Sequence, residues 1–186
     1  EISACLVGSE MCIRDRYFYD TEFIEDGSTI ELVSIGIVAE DGREYYAVST
    51  EFDPRDASPW VRDNVLDKLP PAGNQAWKTR RVIRDEVFEF LTAASTAPEL
   101  WAWVGGYDHV LFAQLWGDMT GLPRKMPRFT HELKQYWEMA GRPKLPKPPQ
   151  GNHDALIDAR HNVKKYRVCA EILPLDANGR ATAPKL

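Results

Sequence analysis

Carboxylate side chains occur at three places in this 186-residue sequence where they could bind a cation, and a histidine lies close to one of them. Carboxylate oxygens are the ligands that hard divalent cations prefer, and an imidazole titrates near neutral pH, so it can accept a proton. Four carboxylates in one cleft would repel each other unless cations neutralise them. The candidates are Asp20 with Glu22, Asp108, and His153 with Asp158.

Asp20 and Glu22 are two residues apart in a stretch that predicts a strand. Side chains at this spacing project from the same face of a strand, about 6.6 Å apart along the backbone, so both can reach one cation. Acidic pairs of this kind are common, and roughly four are expected by chance in this composition. Two acids on an otherwise apolar strand are costly to bury unless paired or bound to metal, whereas a solvated face would explain them without a site.

His153 precedes Asp158 by five positions, a spacing that chance provides with a probability of about 0.6. Within one helix the two side chains would lie about 140° apart and would not share a face. They converge only if His153 lies in the loop or first turn and Asp158 points inward from the helix. The alternative is a surface histidine, an N-cap at Asp154 and an exposed Asp158.

Asp108 lies where an apolar stretch, residues 100–104, is followed by a Gly-Gly pair and a predicted helix. In open α/β sheets, binding sites gather at such strand-to-helix turns. A plain helix cap is the alternative for this residue.

Strand patterns dominate the first third of the chain. Residues 17–23, 30–39 and 44–49 are rich in alternating, aromatic or β-branched side chains, and Asp41-Gly42 is a two-residue hairpin signal. The sequence therefore predicts an antiparallel meander of three strands, with a further strand at 100–104 on which Trp101 and Trp103 are assigned to the core.

Helical patterns follow the meander and alternate with the later strand. Four prolines in residues 143–149 predict an extended connection before the last helix. The whole pattern predicts an α/β domain with a mixed sheet flanked by helices. The first predicted helix begins after Ser58-Pro59, and the second contains the apolar positions Ile83, Val87, Phe90 and Leu91. The third begins near Tyr107 or Asp108. The fourth runs from a cap at Thr130 to Gly141, and the fifth from Asp154 to Ile172.

Composition narrows the class of protein. Acidic residues outnumber basic ones by 28 to 23, so the formal charge of -5 argues against a protein that coats long nucleic acids through a broad basic face. An enzyme that holds only a strand end is not excluded. No apolar run approaches the roughly 20 residues that cross a bilayer and no secretion signal is visible, so we expect a cytoplasmic protein. The three cysteines lack metal or disulfide spacing and are expected to be reduced thiols.

The patterned part of the chain is residues 16–173, which we expect to form a single domain. Residues 1–15 show neither helical nor strand periodicity and are expected to be a non-native or disordered head. Residues 174–186 are rich in Ala, Pro, Gly and charge, which predicts a flexible tail.

The joint pattern of an acidic pair on the first strand, an aspartate after the fourth and a histidine-acid pair at the last helix resembles the DEDDh exonucleases of the ribonuclease H-like superfamily. Within that superfamily the sequence is most similar to the actinobacterial poly(A)-specific 3′-exoribonucleases of the RNase AS type. The likeness extends from about Arg16 to Arg167. It is carried by YFYDTEFIEDG, TIELVSIGIVAEDGREYYAVSTEFDP, ELWAWVGGYDHV and HDALIDAR.

The resemblance implies a ribonuclease H-like sheet and a metal-dependent 3′-to-5′ exoribonuclease that releases nucleoside 5′-monophosphates. Two Mg²⁺ ions, or Mn²⁺, are implied. Asp20, Glu22 and Asp158 would hold the ion that carries the attacking water, and Asp20 would bridge to a second ion whose waters Asp108 positions. His153 would accept the proton.

The resemblance further implies that the substrate is the 3′ end of single-stranded RNA, above all when it is adenylate-rich. It also implies a homodimer. Phe23 and Ile24 directly follow the acidic pair and are our candidates for packing on the terminal base, although ordinary core packing explains them equally well. Glu31 interrupts an apolar strand and is either a further polar contact in the cleft or a solvent-facing residue.

Two alternatives stay open at this point. The first keeps the fold and the metals but changes the substrate to DNA or short oligonucleotides. The second is a nucleic-acid-binding module that kept the fold and lost the chemistry, although all five expected residues are present. An aspartic protease is excluded, because Glu22 replaces the glycine that would follow Asp20-Thr21.

Overall fold

The computed structural model describes residues 15–94, 96–176, 179, 181 and 182 of the chain. Apart from Asp15, the expected head lies outside these described residues. The strands are β1 (Arg16–Glu25), β2 (Ile30–Ala39), β3 (Glu44–Ser49), β4 (Trp77–Lys78), β5 (Glu99–Ala102) and β6 (Thr130–Glu132). The helices are α1 (Pro59–Asn64), α2 (Arg80–Thr92), α3 (Gly106–Gln114), α4 (Leu133–Met139) and α5 (Ala155–Ile172), with 3-10 turns at Pro54–Asp56 and Leu66–Lys68.

The six strands form one mixed sheet with the order β4-β3-β2-β1-β5-β6. β1, β2 and β3 form the predicted antiparallel meander, and β5 and β6 extend it in the direction parallel to β1. This is the mixed sheet of an antiparallel meander and parallel strands that the sequence predicted. The β2–β3 hairpin is also confirmed, but its connection has one residue more than predicted, with Gly42 at a φ of 93° closing a three-residue turn.

Alternation along β1 assigns its two faces to different helices. Tyr17 and Tyr19 are fully buried on one face, in the core that includes residues of α2 and α3. Phe18 is buried on the other face, where its ring lies 5.0 Å from that of Tyr166 on α5. Asp20 and Glu22 continue the Phe18 face, so they lie beneath α5 rather than against α2 and α3.

α5 approaches the sheet closely because β2 has a glycine at the crossing point. A Cβ atom at Gly36 would lie 2.4 Å from the backbone of Ala155 and of Leu156, which is far inside van der Waals contact. Gly36 is also the direct neighbour of Asp20 across the β1–β2 ladder. The missing side chain therefore brings the start of α5 over the strand position that carries the first candidate carboxylate.

The prediction for Thr130 is wrong. Thr130 does not cap a helix but begins β6, where Thr130, His131 and Glu132 pair in parallel with β5. The helix begins at Leu133 instead, and Glu132 caps it by accepting a hydrogen bond from the Lys134 amide at 2.9 Å. The edge of β5 supplies backbone partners to this segment, which outweighs the local preference of threonine for a cap.

The end of α5 is followed by a short return of the chain. Leu175 forms an isolated antiparallel bridge with Ala181, and the Thr182 amide donates to the Pro174 carbonyl at 2.8 Å.

In the part of the chain that is described, no helix combines the length and the apolar character that a membrane crossing requires.

Candidate active site

The site opens where β1 and β5 separate. These parallel strands pair only from Arg16 to Phe18 on the β1 side, after which β1 continues to Glu25 while β5 ends at Ala102. The space beyond the last pair is an open cleft of about 920 Å³. Asp20, Glu22, Asp108, His153 and Asp158 all line it. The fold therefore brings together the five residues that the sequence singled out.

Three of these side chains meet closely. One ligand atom each from Glu22, His153 and Asp158 lies within 4.8 Å of the other two. Glu22 comes from β1, whereas His153 and Asp158 come from the approach and the first turn of α5. A strand and a helix start that are more than 130 positions apart in sequence thus contribute to one cluster.

His153 converges with Asp158 because it precedes α5 in a left-handed backbone conformation, with a φ of 65°. Its amide donates to Asp158 Oδ2 at 2.6 Å, and the Trp60 ring meets its imidazole edge-on at 4.9 Å. The Lys68 ammonium donates to the Asn152 carbonyl just before it. Asp154 caps α5, because its Oδ1 accepts hydrogen bonds from the Leu156 and Ile157 amides at 3.0 Å. The N-cap at Asp154 and the convergence of His153 with Asp158 therefore occur together.

Asp108 lies in the first turn of α3 and is 6% exposed. Its Oδ1 accepts from the Thr21 amide at 2.8 Å and from the Thr21 hydroxyl at 2.6 Å. These bonds tie the start of α3 to β1 between the two acids of the strand. The N-terminal end of a helix also favours a negative charge at this position.

The cleft disfavours ionisation of three of its acids in the absence of cations. Desolvation, followed by repulsion from Asp108 and Glu22, raises the pKa of Asp20 well above its ordinary value. Desolvation and the charge of Asp158 raise the pKa of Glu22 to about 8. Desolvation raises the pKa of Asp108 to about 6, although the Thr21 hydrogen bonds oppose that rise.

This donor set fits a divalent cation. Carboxylate oxygens and one imidazole converge from separate elements, and the acids carry unfavourable charge that a cation would offset. An exposed acidic patch would show neither the burial of Glu22 and Asp108 nor the raised pKa values. The arrangement suits hydrolysis at a phosphate, with a base beside the cation ligands.

One face of α5 supplies further cleft residues that the sequence reasoning missed. Asn162 and Lys165 lie four and seven positions after Asp158 and therefore on the same side of the helix. Asn162 donates to the Tyr19 carbonyl at 3.2 Å, which anchors α5 beside Asp20, and its Oδ1 accepts from the Lys165 ammonium at 3.0 Å. Helical periodicity counted from Asp158 would have found both.

Aromatic side chains form the walls of the cleft. Phe23, a candidate for contact with the terminal base, lines the cleft, and its ring stacks on that of Tyr107 at 5.4 Å. Trp101 is buried as assigned, whereas Trp103, which follows the end of β5, is partly buried: it packs against the same core cluster and also lines the cleft. No local pattern distinguished the two tryptophans. Trp60 was also missed, because it arrives from α1.

The other two residues proposed for substrate contact do not line the cleft. Ile24 is 4% exposed and packs in a separate core cluster with Val33 and Val65. Glu31 forms an ion pair with Arg80 at 3.1 Å. Phe23 alone among the three lies where it can contact a bound nucleotide.

Comparison with known proteins gives concordant matches along the chain. The family described as "3'-5' exoribonuclease Rv2179c-like domain" matches residues 15–170. Two proteins of Mycobacterium tuberculosis, "3'-5' exoribonuclease Rv2179c" of strain H37Rv and "3'-5' exoribonuclease MT2234.1" of strain CDC 1551, are each 59% identical over 169 residues. These alignments cover 90% of this chain and 99% of each relative.

Solved structures give a more distant likeness. The nuclease domain of 3'hExo, a DEDDh family member bound to rAMP, superposes with a TM-score of 0.47 at 14% identity, covering 92% of this chain and 97% of that one. A full-length 3'-exonuclease gives a TM-score of 0.45 at 13% identity, covering 92% of both chains.

Proposed function

Because this chain belongs to the Rv2179c-like family of 3′-5′ exoribonucleases, we propose that its cleft hydrolyses the last phosphodiester bond at the 3′ end of RNA. The products are a nucleoside 5′-monophosphate and a strand shortened by one nucleotide. The observation that carries this proposal is the convergence of Glu22, His153 and Asp158 within 4.8 Å, in the cleft that Asp20 and Asp108 also line.

The four carboxylates are proposed to hold two divalent cations, Mg²⁺ or Mn²⁺. Bound cations supply Lewis acidity and offset the negative charge of the phosphate during the displacement. Glu22 and Asp158 already lie within 4.8 Å of each other. Asp108 is held in place by Thr21 through one oxygen only, which leaves its other oxygen available to the cleft.

His153 is proposed to accept the proton of the attacking water. It lies beside Glu22 and Asp158, so the base is adjacent to the proposed cation ligands. The Asp158 carboxylate accepts a hydrogen bond from the His153 amide. The Trp60 ring packs against the His153 imidazole. A positioned base of this kind contributes about 10²- to 10⁴-fold to the rate of such reactions.

The substrate is proposed to be single-stranded RNA, with a preference for adenylate at the 3′ end. Phe23 and Tyr107 form a stacked aromatic pair at the cleft wall, and Tyr107 is 55% exposed. Exposed rings of this kind bind unstacked bases. The homodimer that the family resemblance implies and the cytoplasmic location expected from the sequence stay predictions.

A digestion series tests the proposal. Purified protein is incubated with labelled oligo(A), mixed-sequence RNA and single-stranded DNA, each with Mg²⁺, with Mn²⁺ and with chelator. We expect stepwise shortening from the 3′ end, fastest for oligo(A) and stopped by chelator. Faster removal of deoxynucleotides would replace RNA by DNA as the substrate, and equal rates on all RNAs would remove the adenylate preference.

Asp20→Ala tests the carboxylate cluster itself. We expect loss of nuclease activity with the fold retained, as judged by circular dichroism. The matched control is Glu89→Gln, which also removes one negative charge but from an exposed position on α2, across the sheet from the cleft. An Asp20→Ala protein with parental activity would reject the metal-dependent scheme.

A further inference from the structure

The cleft extends beyond the carboxylate cluster along α5. Lys165 lies seven positions after Asp158, about 10 Å further along the helix axis. Its ammonium lies 4.4 Å from the centre of the Trp103 ring and 3.0 Å from Asn162 Oδ1. Neither contact is an ion pair, so the ammonium has no direct carboxylate partner among these neighbours, although the charges of Asp20 and Asp158 in the same cleft also act on it.

The proline-rich connection, residues 143–149, forms a rim of the same cleft. It begins near Trp103, because Trp137 donates to the Pro143 carbonyl at 2.8 Å and its ring lies 5.9 Å from that of Trp103. Leu145, Pro146 and Pro148 line the cleft. The connection then leads to His153, so it follows the cleft from the Lys165 end to the base.

Two lysines project from this rim. Lys144 and Lys147 are both exposed and are three residues apart, which is one turn of an extended polyproline-type backbone, so they share one edge. Among the residues that the structure describes, neither lysine forms an ion pair.

We propose that Lys165, Lys144 and Lys147 form a phosphate track that binds the RNA strand on the 5′ side of the bond to be cut. This inference rests on the proposed function, since only a strand-shortening enzyme must hold the strand that remains. The formal charge of -5 and the acidic cluster in the cleft both disfavour approach of the RNA backbone. Local cations along the exit of the cleft would offset that repulsion.

Salt dependence of binding tests the track. Anisotropy measures the affinity for a labelled oligo(A) decamer with hydrolysis-resistant phosphorothioate linkages, in Mg²⁺ and over a range of salt concentrations. Each phosphate contact to a single strand contributes about 0.7 to the slope of log affinity against log salt. We expect Lys144→Gln with Lys147→Gln to reduce that slope by about 1.4 and Lys165→Met by about 0.7. Lys165→Arg keeps the cation and should retain the parental slope.

The charge-matched control is Lys125→Gln with Lys164→Gln, because both lysines are exposed and both lie outside the proline-rich segment whose neighbouring residues line the cleft. This control should keep the parental slope. We further expect the ratio of kcat/KM for the decamer to that for a dinucleotide to fall in the Lys144 and Lys147 double variant, because a dinucleotide is too short to reach along the track.

The outcomes separate the two proposals. If the protein degrades RNA but neither the slope nor the length ratio changes in the variants, the phosphate track is wrong and the proposed function stands. If the slopes fall as expected but no RNA is hydrolysed with any metal, the track is supported as a binding surface and the proposed reaction is wrong. Equal losses in the control pair would show a general charge effect and would also reject the track.

Discussion

Replacing Glu22 with glutamine should remove a pH-dependent loss of stability from the metal-free protein. Glutamine has nearly the same shape as glutamate but no charge to repel Asp158. The pKa of Glu22 is raised to about 8 from an ordinary value of 4.5. A carboxyl whose pKa is raised in the folded state stabilises the fold while it is protonated. Its contribution to the free energy of unfolding is full below about pH 4.5 and is lost as the pH rises through 8.

The size of the effect follows from the two pKa values. Between pH 6 and pH 8, an acid that titrates at 4.5 when unfolded and at about 8 when folded costs the fold about 2 kcal/mol. For a chain of this length that corresponds to about 4 to 8 °C in Tm. The Glu22→Gln protein lacks this contribution and should lose correspondingly less stability over the same interval.

The assay is thermal and urea unfolding in chelator at pH 6 and pH 8, for the parental protein, Glu22→Gln and the Glu89→Gln control. The control should follow the parental pH dependence, because Glu89 is exposed on α2. Added Mg²⁺ should stabilise the parental protein more at pH 8 than at pH 6, since protons compete with the cation. A Glu22→Gln protein that loses as much stability as the parent between these pH values would refute this account of the cluster.

Three further predictions concern the residues that hold the site together. Gly36→Ala should destabilise the fold by about 3 kcal/mol or more in urea unfolding, because the new methyl group would overlap the backbone of Ala155. Thr21→Val should cost about 1 to 3 kcal/mol, since Asp108 loses its hydroxyl donor; unchanged stability would show that this bond contributes nothing. His153→Ala should reduce kcat by about 10²- to 10⁴-fold while Mg²⁺ still raises the Tm, and loss of that Tm shift would make His153 a cation ligand instead.

Much of the site could be predicted because its first constraints are local. The period of two along a strand places Asp20 and Glu22 on one face without reference to the rest of the molecule. Proline-rich sequence before His153 and helical sequence after it place that residue at a helix start, where it can converge with Asp158. The Gly-Gly turn likewise places Asp108 at the start of α3.

Other residues could be assigned only from packing. Trp101 and Trp103 have the same local pattern, and only the end of β5 decides that one is buried and the other lines the cleft. Threonine is a favourable residue type for a helix N-cap, yet Thr130 pairs with the edge of β5 and begins a strand. Ile24 lies two positions after Glu22, but residues of distant segments cover it.

The sequence by itself determined which side chains could do chemistry and on which face of its own element each one lies, because those properties follow from residue type and backbone period. The tertiary structure alone decided which elements meet. Gly36 sets how closely α5 approaches Asp20, and the Trp60 and Lys68 contacts hold the segment that carries His153. Contacts of this kind join residues far apart in the chain, so no local pattern encodes them.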